Sequence, residues 1–193
     1  MEISTVIKER RTVRRFSQKP VSDLEIRKLI DAARLSSCAR NAQRLRYVVA
    51  RSPEINDRIF PHTAWAGSVK PHRTPTAGVD APTAYIAVIA PVSECGDTML
   101  FADSGAAIQS IQLAAWDMGI GCCWLGAINR PAISEILALP DSMSLLYLVA
   151  IGYAGEKPVY DDVDNADSVK YYLDGNDLLH IPKLTVDAIT QWF

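Results

Sequence analysis

DSGAAIQSIQLAAWDMGIGCCWLG, residues Asp103 to Gly126, decides the fold class. From Asp103 to Met118 apolar side chains run most of the way round a helical wheel, the pattern of a helix buried in a core or at a subunit interface. Asp103, a carboxylate just ahead of the apolar run, reads as the cap of that helix. Gly119 and Gly121 read as its end. The apolar run Cys122 to Leu125 then reads as a strand. Downstream, Pro131 to Leu139 reads as a short helix opened by proline, and Leu145 to Ile151 as another buried strand. Upstream, Arg46 to Ala50 and Ala84 to Ala90 are short apolar runs flanked by breakers, as buried strands are. Ser22-Asp23-Leu24-Glu25 is a capping-box pattern opening a helix whose Ile26, Leu29, Ile30 and Ala33 share one face. Residues 2–9 read as a further short helix. Strands thus alternate with helices, which predicts an α/β or α+β domain with helices over a central sheet and leaves the strand order open.

Two stretches lack periodicity. Residues 61–82 contain Pro61, Pro71, Pro75 and Pro82 with Gly67 and Gly78, so a long connection is expected. Trp65 and His72 lie within it; packing against the domain is the favoured reading, and covering a substrate the rival one. After Gly155 the acidic run Asp161, Asp162, Asp164 and Asp167 opens a segment, 156–193, that reads as an extended tail. The whole chain, 1–193, is expected to form one domain.

The formal charge of −2 gives no reason to expect nucleic acid. No apolar run has the length of a signal peptide or a bilayer span, so a cytoplasmic protein without membrane contact is expected. Cys38, Cys95, Cys122 and Cys123 lack the spacing of a zinc site and the density of a disulfide scaffold. Alternation along a strand sends Cys122 and Cys123 to opposite faces, and both read as small buried hydrophobes. His62, His72 and His180 show no metal-ligand spacing. There is no nucleophile elbow or phosphate-binding P-loop.

Lys8-Glu9-Arg10-Arg11-Thr12-Val13-Arg14-Arg15 is the densest positive segment of a slightly negative chain. Guanidinium forks match phosphate oxygens and Thr12 adds a neutral donor, which suits a bound phosphate. Taken alone, the run is equally a solvated helix end.

R-R-T-V-R near the start, followed after the capped helix by S-S-C-A-R-N-A-Q, resembles the paired opening motifs of the nitroreductase family of FMN enzymes. The resemblance continues through Asp103 to Gly119, similar to that family's buried dimer helix. It extends to Gly121-Cys122-Cys123-Trp124-Leu125-Gly126, similar to the strand and turn beside the flavin, and to Ala150-Ile151-Gly152-Tyr153, similar to a late strand ending in G-Y. The resemblance implies an α+β fold, with a central mostly antiparallel sheet covered by helices, in a homodimer holding FMN at the subunit interface. It places Arg10, Arg11 and Thr12 around the FMN phosphate and ribityl chain and Arg14 near the pyrimidine edge. Ser37, Cys38, Ala39 and Asn41 match a segment that reaches the flavin bound by the other subunit. Trp124, Leu125 and Gly126 match the strand and turn whose backbone amides face N5 and O4. His180-Ile181-Pro182-Lys183-Leu184 resembles a phosphate-site segment that often has a second basic residue where Leu184 stands, so Lys183 is the cofactor-binding candidate there. Where the family often has Q-P-W, this chain has Gln43-Arg44-Leu45.

The activity the resemblance implies is hydride transfer from NADH or NADPH, through flavin N5, to a small acceptor such as a nitroaromatic or quinone, in ping-pong order. No side chain need act as an acid or base, because the cofactor carries the chemistry. The alternatives are an FMN-binding or regulatory protein with little turnover, a specialised flavin reaction such as reductive dehalogenation, and a dimer that has lost the cofactor.

Overall fold

A computed structural model of the chain describes residues 1–69 and 73–193. His72 therefore lies outside the described residues. In chain order the larger elements are α1 (Ile3–Glu9), α2 (Asp23–Arg34), β1 (Arg46–Ala50), α3 (Pro53–Ile59), β2 (Ala84–Pro91), α4 (Thr98–Asp117), β3 (Ile120–Leu125), α5 (Arg130–Ile136) and β4 (Met143–Tyr153). The four strands form one sheet in the order β1-β2-β4-β3, with every neighbouring pair antiparallel.

Alternating side chains divide the core between the two faces of this sheet. On one face Ala84, Ile86, Val88, Cys122, Val149 and Ile151 meet Ile26, Leu29 and Ala33 of α2 and Ala107, Ile108, Ile111 and Ala115 of α4. On the other, Tyr85, Ala87, Cys123, Leu125, Leu148 and Ala150 pack with Ile59, Ile133, Val13, Phe16 and Trp65. Cys122 and Cys123 fall on opposite faces, both buried as free thiols. Trp65 belongs to the core, and its indole N–H donates to Thr63 Oγ1 at 2.7 Å.

The capping box is present in full: the Glu25 amide donates to Ser22 Oγ at 3.3 Å, and Glu25 Oε2 accepts from the Ser22 amide at 2.9 Å. Its carboxylate also ties α2 to the end of β4, because the Tyr153 hydroxyl donates to Glu25 Oε1 at 2.7 Å.

The structure corrects three of the sequence expectations. α4 begins at Thr98 and is capped by Asp97, whose side chain accepts from the Met99 amide at 2.9 Å. Asp103, expected as the cap, lies inside the helix and is 5% exposed. Gly119, at φ +74°, ends the helix in the left-handed conformation, whereas Gly121 is already within β3. Residues 156–193 fold back on themselves. Here β5 (Asp162–Val163), β6 (Tyr172–Leu173), β7 (Leu179–His180) and β8 (Lys183–Leu184) form two short ladders, β5 with β8 and β6 with β7, ahead of α6 (Val186–Ile189).

The N-terminal segment closes the free edge of β3. The Val13 amide donates to Cys122 O at 3.0 Å, and Thr12 bridges Cys122 in parallel. A Cβ at Gly121 would stand 2.7 Å from Val13 Cβ, so the close approach needs glycine. Gly121→Ala should cost about 1–3 kcal/mol of stability through this overlap, read as a lowered thermal midpoint. Hydrogen bonds from Ser22, then from Tyr153, hold the Glu25 carboxyl down from the usual 4.5 to about 2. The stability that ionised Glu25 contributes is thus present above pH about 4.5 and lost as pH falls towards 2. Denaturation of Glu25→Gln against the parent chain should show a difference that is full at pH 7 and shrinks across that acidic window.

Candidate functional site

α1 ends at Glu9, and Arg10 leaves it with φ −57° and ψ 128°. From there the chain runs extended beside β3, and residues from the long connection and the C-terminal segment gather around it. Glu156 Oε1 accepts from the amides of Arg14, at 2.7 Å, and Arg15, at 3.3 Å. The Arg11 guanidinium lies 4.3 Å from the Tyr160 ring centroid and donates to Lys8 O at 2.8 Å. The Arg14 guanidinium lies 5.1 Å from the Tyr171 ring centroid. Arg73, from the long connection, pairs with Glu156 Oε2 at 3.0 Å and with Asp177 Oδ1 at 3.0 Å. The connection and the C-terminal segment are thereby fastened to the back of the basic segment.

The cations here are crowded. Burial lowers the pKa of Arg10. It also lowers that of Arg11, with Arg10 adding to the effect. For Lys183 burial again comes first, followed by the charges of Arg11 and Arg10. Lys183, 173 residues along the chain from Arg10, is therefore within electrostatic reach of both arginines. The buried nitrogens Arg10 Nε, Arg11 Nε and Arg14 Nη1 have no hydrogen-bond partner among the described residues. Partly desolvated cations with unused donors make up the arrangement that a phosphate would relieve, supplying both countercharge and acceptors. The residues present fit a phosphate-bearing cofactor.

Ser37, Cys38, Ala39 and Asn41 lie elsewhere in the chain's own fold. Their segment precedes β1, the opposite edge strand from β3, and the Ala39 amide donates to Asp103 Oδ1 at 2.8 Å. Arg11 instead shares a cleft with Trp116, near the other end of α4. That separation along the helix amounts to roughly 20 Å. One chain does not bring the two groups together. Trp124 is 39% exposed and packs edge-on against Tyr147, with ring centroids 5.1 Å apart, while Leu125 is buried. A Cβ at Gly126 would meet only Tyr147, at 3.9 Å, so packing within the chain does not demand this glycine.

Sequence reasoning missed Glu156, Tyr160, Tyr171 and Arg73, none of which belongs to a motif. It also missed Arg44, which was seen only as a departure from Q-P-W. Arg44 Nη1 pairs with Asp97 at 2.6 Å and Glu94 at 3.3 Å, and Nη2 pairs with Asp103 at 3.0 Å. These partners, Asp97 foremost and then Asp103, raise its pKa. Arg44, Asp103, Ser37 and Cys38 line a cavity of about 290 Å³. A larger cleft of about 700 Å³ lies between α2 and β1 and holds none of the expected site residues.

Other chemistries find little support. Burial pushes the Cys122 thiol up, and it pushes Cys123 up to about 11, so neither is a thiolate at neutral pH. Among the described residues no group of His, Cys, Asp and Glu is placed to hold a metal ion, and no helix is long and apolar enough to cross a membrane.

The sequence model of the nitroreductase family matches residues 7–153. A protein of Archaeoglobus fulgidus, provisionally named NADH dehydrogenase/NAD(P)H nitroreductase, is 31% identical over 176 residues, 87% of this chain and 96% of its own. Among solved structures, a nitroreductase family protein from Clostridium novyi is 25% identical with a TM-score of 0.67, covering 80% of this chain and 87% of the other. A Desulfovibrio desulfuricans protein, provisionally named a nitroreductase and solved in complex with FMN, is 26% identical with a TM-score of 0.66, covering 81% and 88%.

Inorganic phosphate should raise the melting temperature of the protein purified free of other ligands, because an anion that binds only the folded state stabilises it. The rise should be smaller in Lys183→Ala. A melting temperature that ignores phosphate would contradict the anion site.

Proposed function

The chain belongs to the nitroreductase family, and we propose that it is an FMN-dependent NAD(P)H oxidoreductase acting as a homodimer. The observation that carries this reading is the clustering of Arg10 and Arg11, partly buried and with unused donors, with the exposed Lys183 within electrostatic reach of both. When bound, FMN would supply the redox chemistry, a ping-pong hydride transfer from NADH or NADPH to a nitroaromatic, quinone or similar small acceptor.

The protein's part is to bind and to tune. Arg10, Arg11 and Lys183 would hold the phosphate, with Thr12 donating beside it. Arg14 would sit by the pyrimidine edge, where a fixed cation favours the negative charge that reduction creates. Its amide is anchored on Glu156, and its guanidinium rests on Tyr171 with Nη1 free to donate. Backbone from Trp124 to Gly126 would flank the ring, where the absence of a side chain at Gly126 leaves room. Ser37, Cys38, Ala39 and Asn41 would come from the partner chain, since their own chain holds them far from its basic segment. The outer face of α4 supports a dimer: Phe101 is 42% exposed and is followed by the small residues Ala102, Gly105 and Ala106. No acid or base is needed, in keeping with thiols held protonated.

The purified protein should carry visible flavin absorbance that anaerobic NADH or NADPH bleaches. A colourless protein that fails to take up added FMN would overturn the proposal, and a yellow one that neither nucleotide bleaches would indicate binding without turnover. Arg10→Ala and Arg14→Ala should each weaken FMN binding by roughly 10- to 100-fold, the worth of a charge-assisted hydrogen bond, whereas Lys28→Ala on the exposed face of α2 should not. Equal dissociation constants in all three would count against this placement.

A further inference from the structure

We propose that Asp103 and Arg44 are positioning residues: together they latch the segment between Ala39 and Arg44 in a strained conformation that presents Ser37 to Asn41 to the partner chain's flavin. The proposal rests on the FMN reading above and assigns a role to residues outside its binding set.

A carboxylate in the interior of a packed helix is costly unless both oxygens are satisfied. Asp103 spends one oxygen on the Ala39 amide, at 2.8 Å, and the other on Arg44 Nη2, at 3.0 Å. These partners stand at the two ends of a short loop, so a single buried side chain fixes its span. Between them Arg40, Asn41 and Gln43 have φ of 56°, 52° and 47°, left-handed values at non-glycine residues. Asparagine tolerates this region, but at Arg40 and Gln43 it costs roughly 1–2 kcal/mol each and persists only where the surroundings over-determine it. Arg44 adds that determination by bridging Asp103 to Asp97 and Glu94 with its other nitrogen. Inside the loop Gln43 Nε2 donates to Asn41 Oδ1 at 3.2 Å, orienting the Asn41 side chain while it remains exposed. Ser36, just before the loop, bonds Ser110 of α4 through its hydroxyl at 3.0 Å, so its entry is fixed on the same helix. A loop needing only to connect α2 to β1 has no use for two strained residues and a buried ion pair; a loop that must hold a set shape against a ligand does.

The test compares Asp103→Ala with Asp103→Asn, which keeps an oxygen for the Ala39 amide. Asp103→Ala should raise the FMN dissociation constant about tenfold at full stoichiometry, with a rate of reduction by NADH at saturating FMN close to that of the parent. Ala39 amide hydrogen exchange should quicken; Asp103→Asn should restore that exchange within about threefold but not the FMN affinity, because its amide nitrogen cannot accept from Arg44. Fewer sites at an unchanged dissociation constant would mean that Asp103 only supports the fold, and would overturn the latch. So would unchanged binding with unchanged Ala39 exchange. Should Asp103→Ala fail to fold, Arg44→Lys, which keeps the charge and loses the fork, should still raise the dissociation constant, and no change there overturns the proposal. A parent protein that takes up no FMN would refute the flavin reading instead, while Ala39 exchange in these variants would still decide the latch.

Discussion

Val13 lies against Gly121 with no room for a β-carbon between them, and the next peptide of β3 accepts the Val13 amide. That contact places a run of arginines along the edge of a buried sheet. Without it the segment after α1 would be a charged strand in water. With it, β3 is no longer a bare edge, and the arginines on either side of Val13 are held at the protein's margin. Burying one valine stabilises by about 1.5–3 kcal/mol. An apolar anchor and a set of unused donors are complementary parts of one arrangement: the first fixes where the second must stand.

The rest of the site follows from how the remaining chain accommodates those charges. Glu156 takes the amides of Arg14 and Arg15 and pairs with Arg73, while Tyr160 and Tyr171 supply aromatic faces to Arg11 and Arg14. The 61–82 connection shares the core with Val13 through Trp65, and ion pairs and cation–π contacts tie it and the C-terminal segment further to the basic segment. Lys183 arrives by the same route, on a two-residue ladder with Asp162 and Val163. The family's usual second basic residue is Leu184 here, and Arg11 is the additional cation near Lys183.

What was legible in the sequence is what local physics writes into it. Ser22 and Glu25 announce their helix because a capping box is a local device, and Cys122 and Cys123 divide between faces because strand geometry alternates. Asp103 was misread because a carboxylate beside an apolar run looks the same whether it caps a helix or is buried within it. Its partners Arg44 and the Ala39 amide, both distant in sequence, distinguish the two. Met99, Leu100 and Phe101 belong to the same helix, but its two faces meet different partners and no single stripe marks its start. Gly121 reads locally as a helix end because nothing nearby in sequence reveals that Val13 presses against it. The tail's ladders are two residues long, too short for any period to show. Tyr160 and Tyr171 carry no motif, since an aromatic face beneath a guanidinium can come from anywhere in the chain.

The expected site residues form two groups that one chain keeps apart, the arginines with Lys183 and the segment from Ser37 to Asn41, and a composite site needs both. Mixed dimers test that directly. One chain would carry Arg10→Ala with Arg14→Ala and an intact loop; the other would carry intact arginines with Ser37→Ala and Asn41→Ala. Each homodimer should bind FMN poorly at both sites, whereas the mixed dimer joins one pair of intact halves and should recover tight binding of a single FMN per dimer. If the mixed dimer binds no more tightly than its two parents, the site does not span two chains.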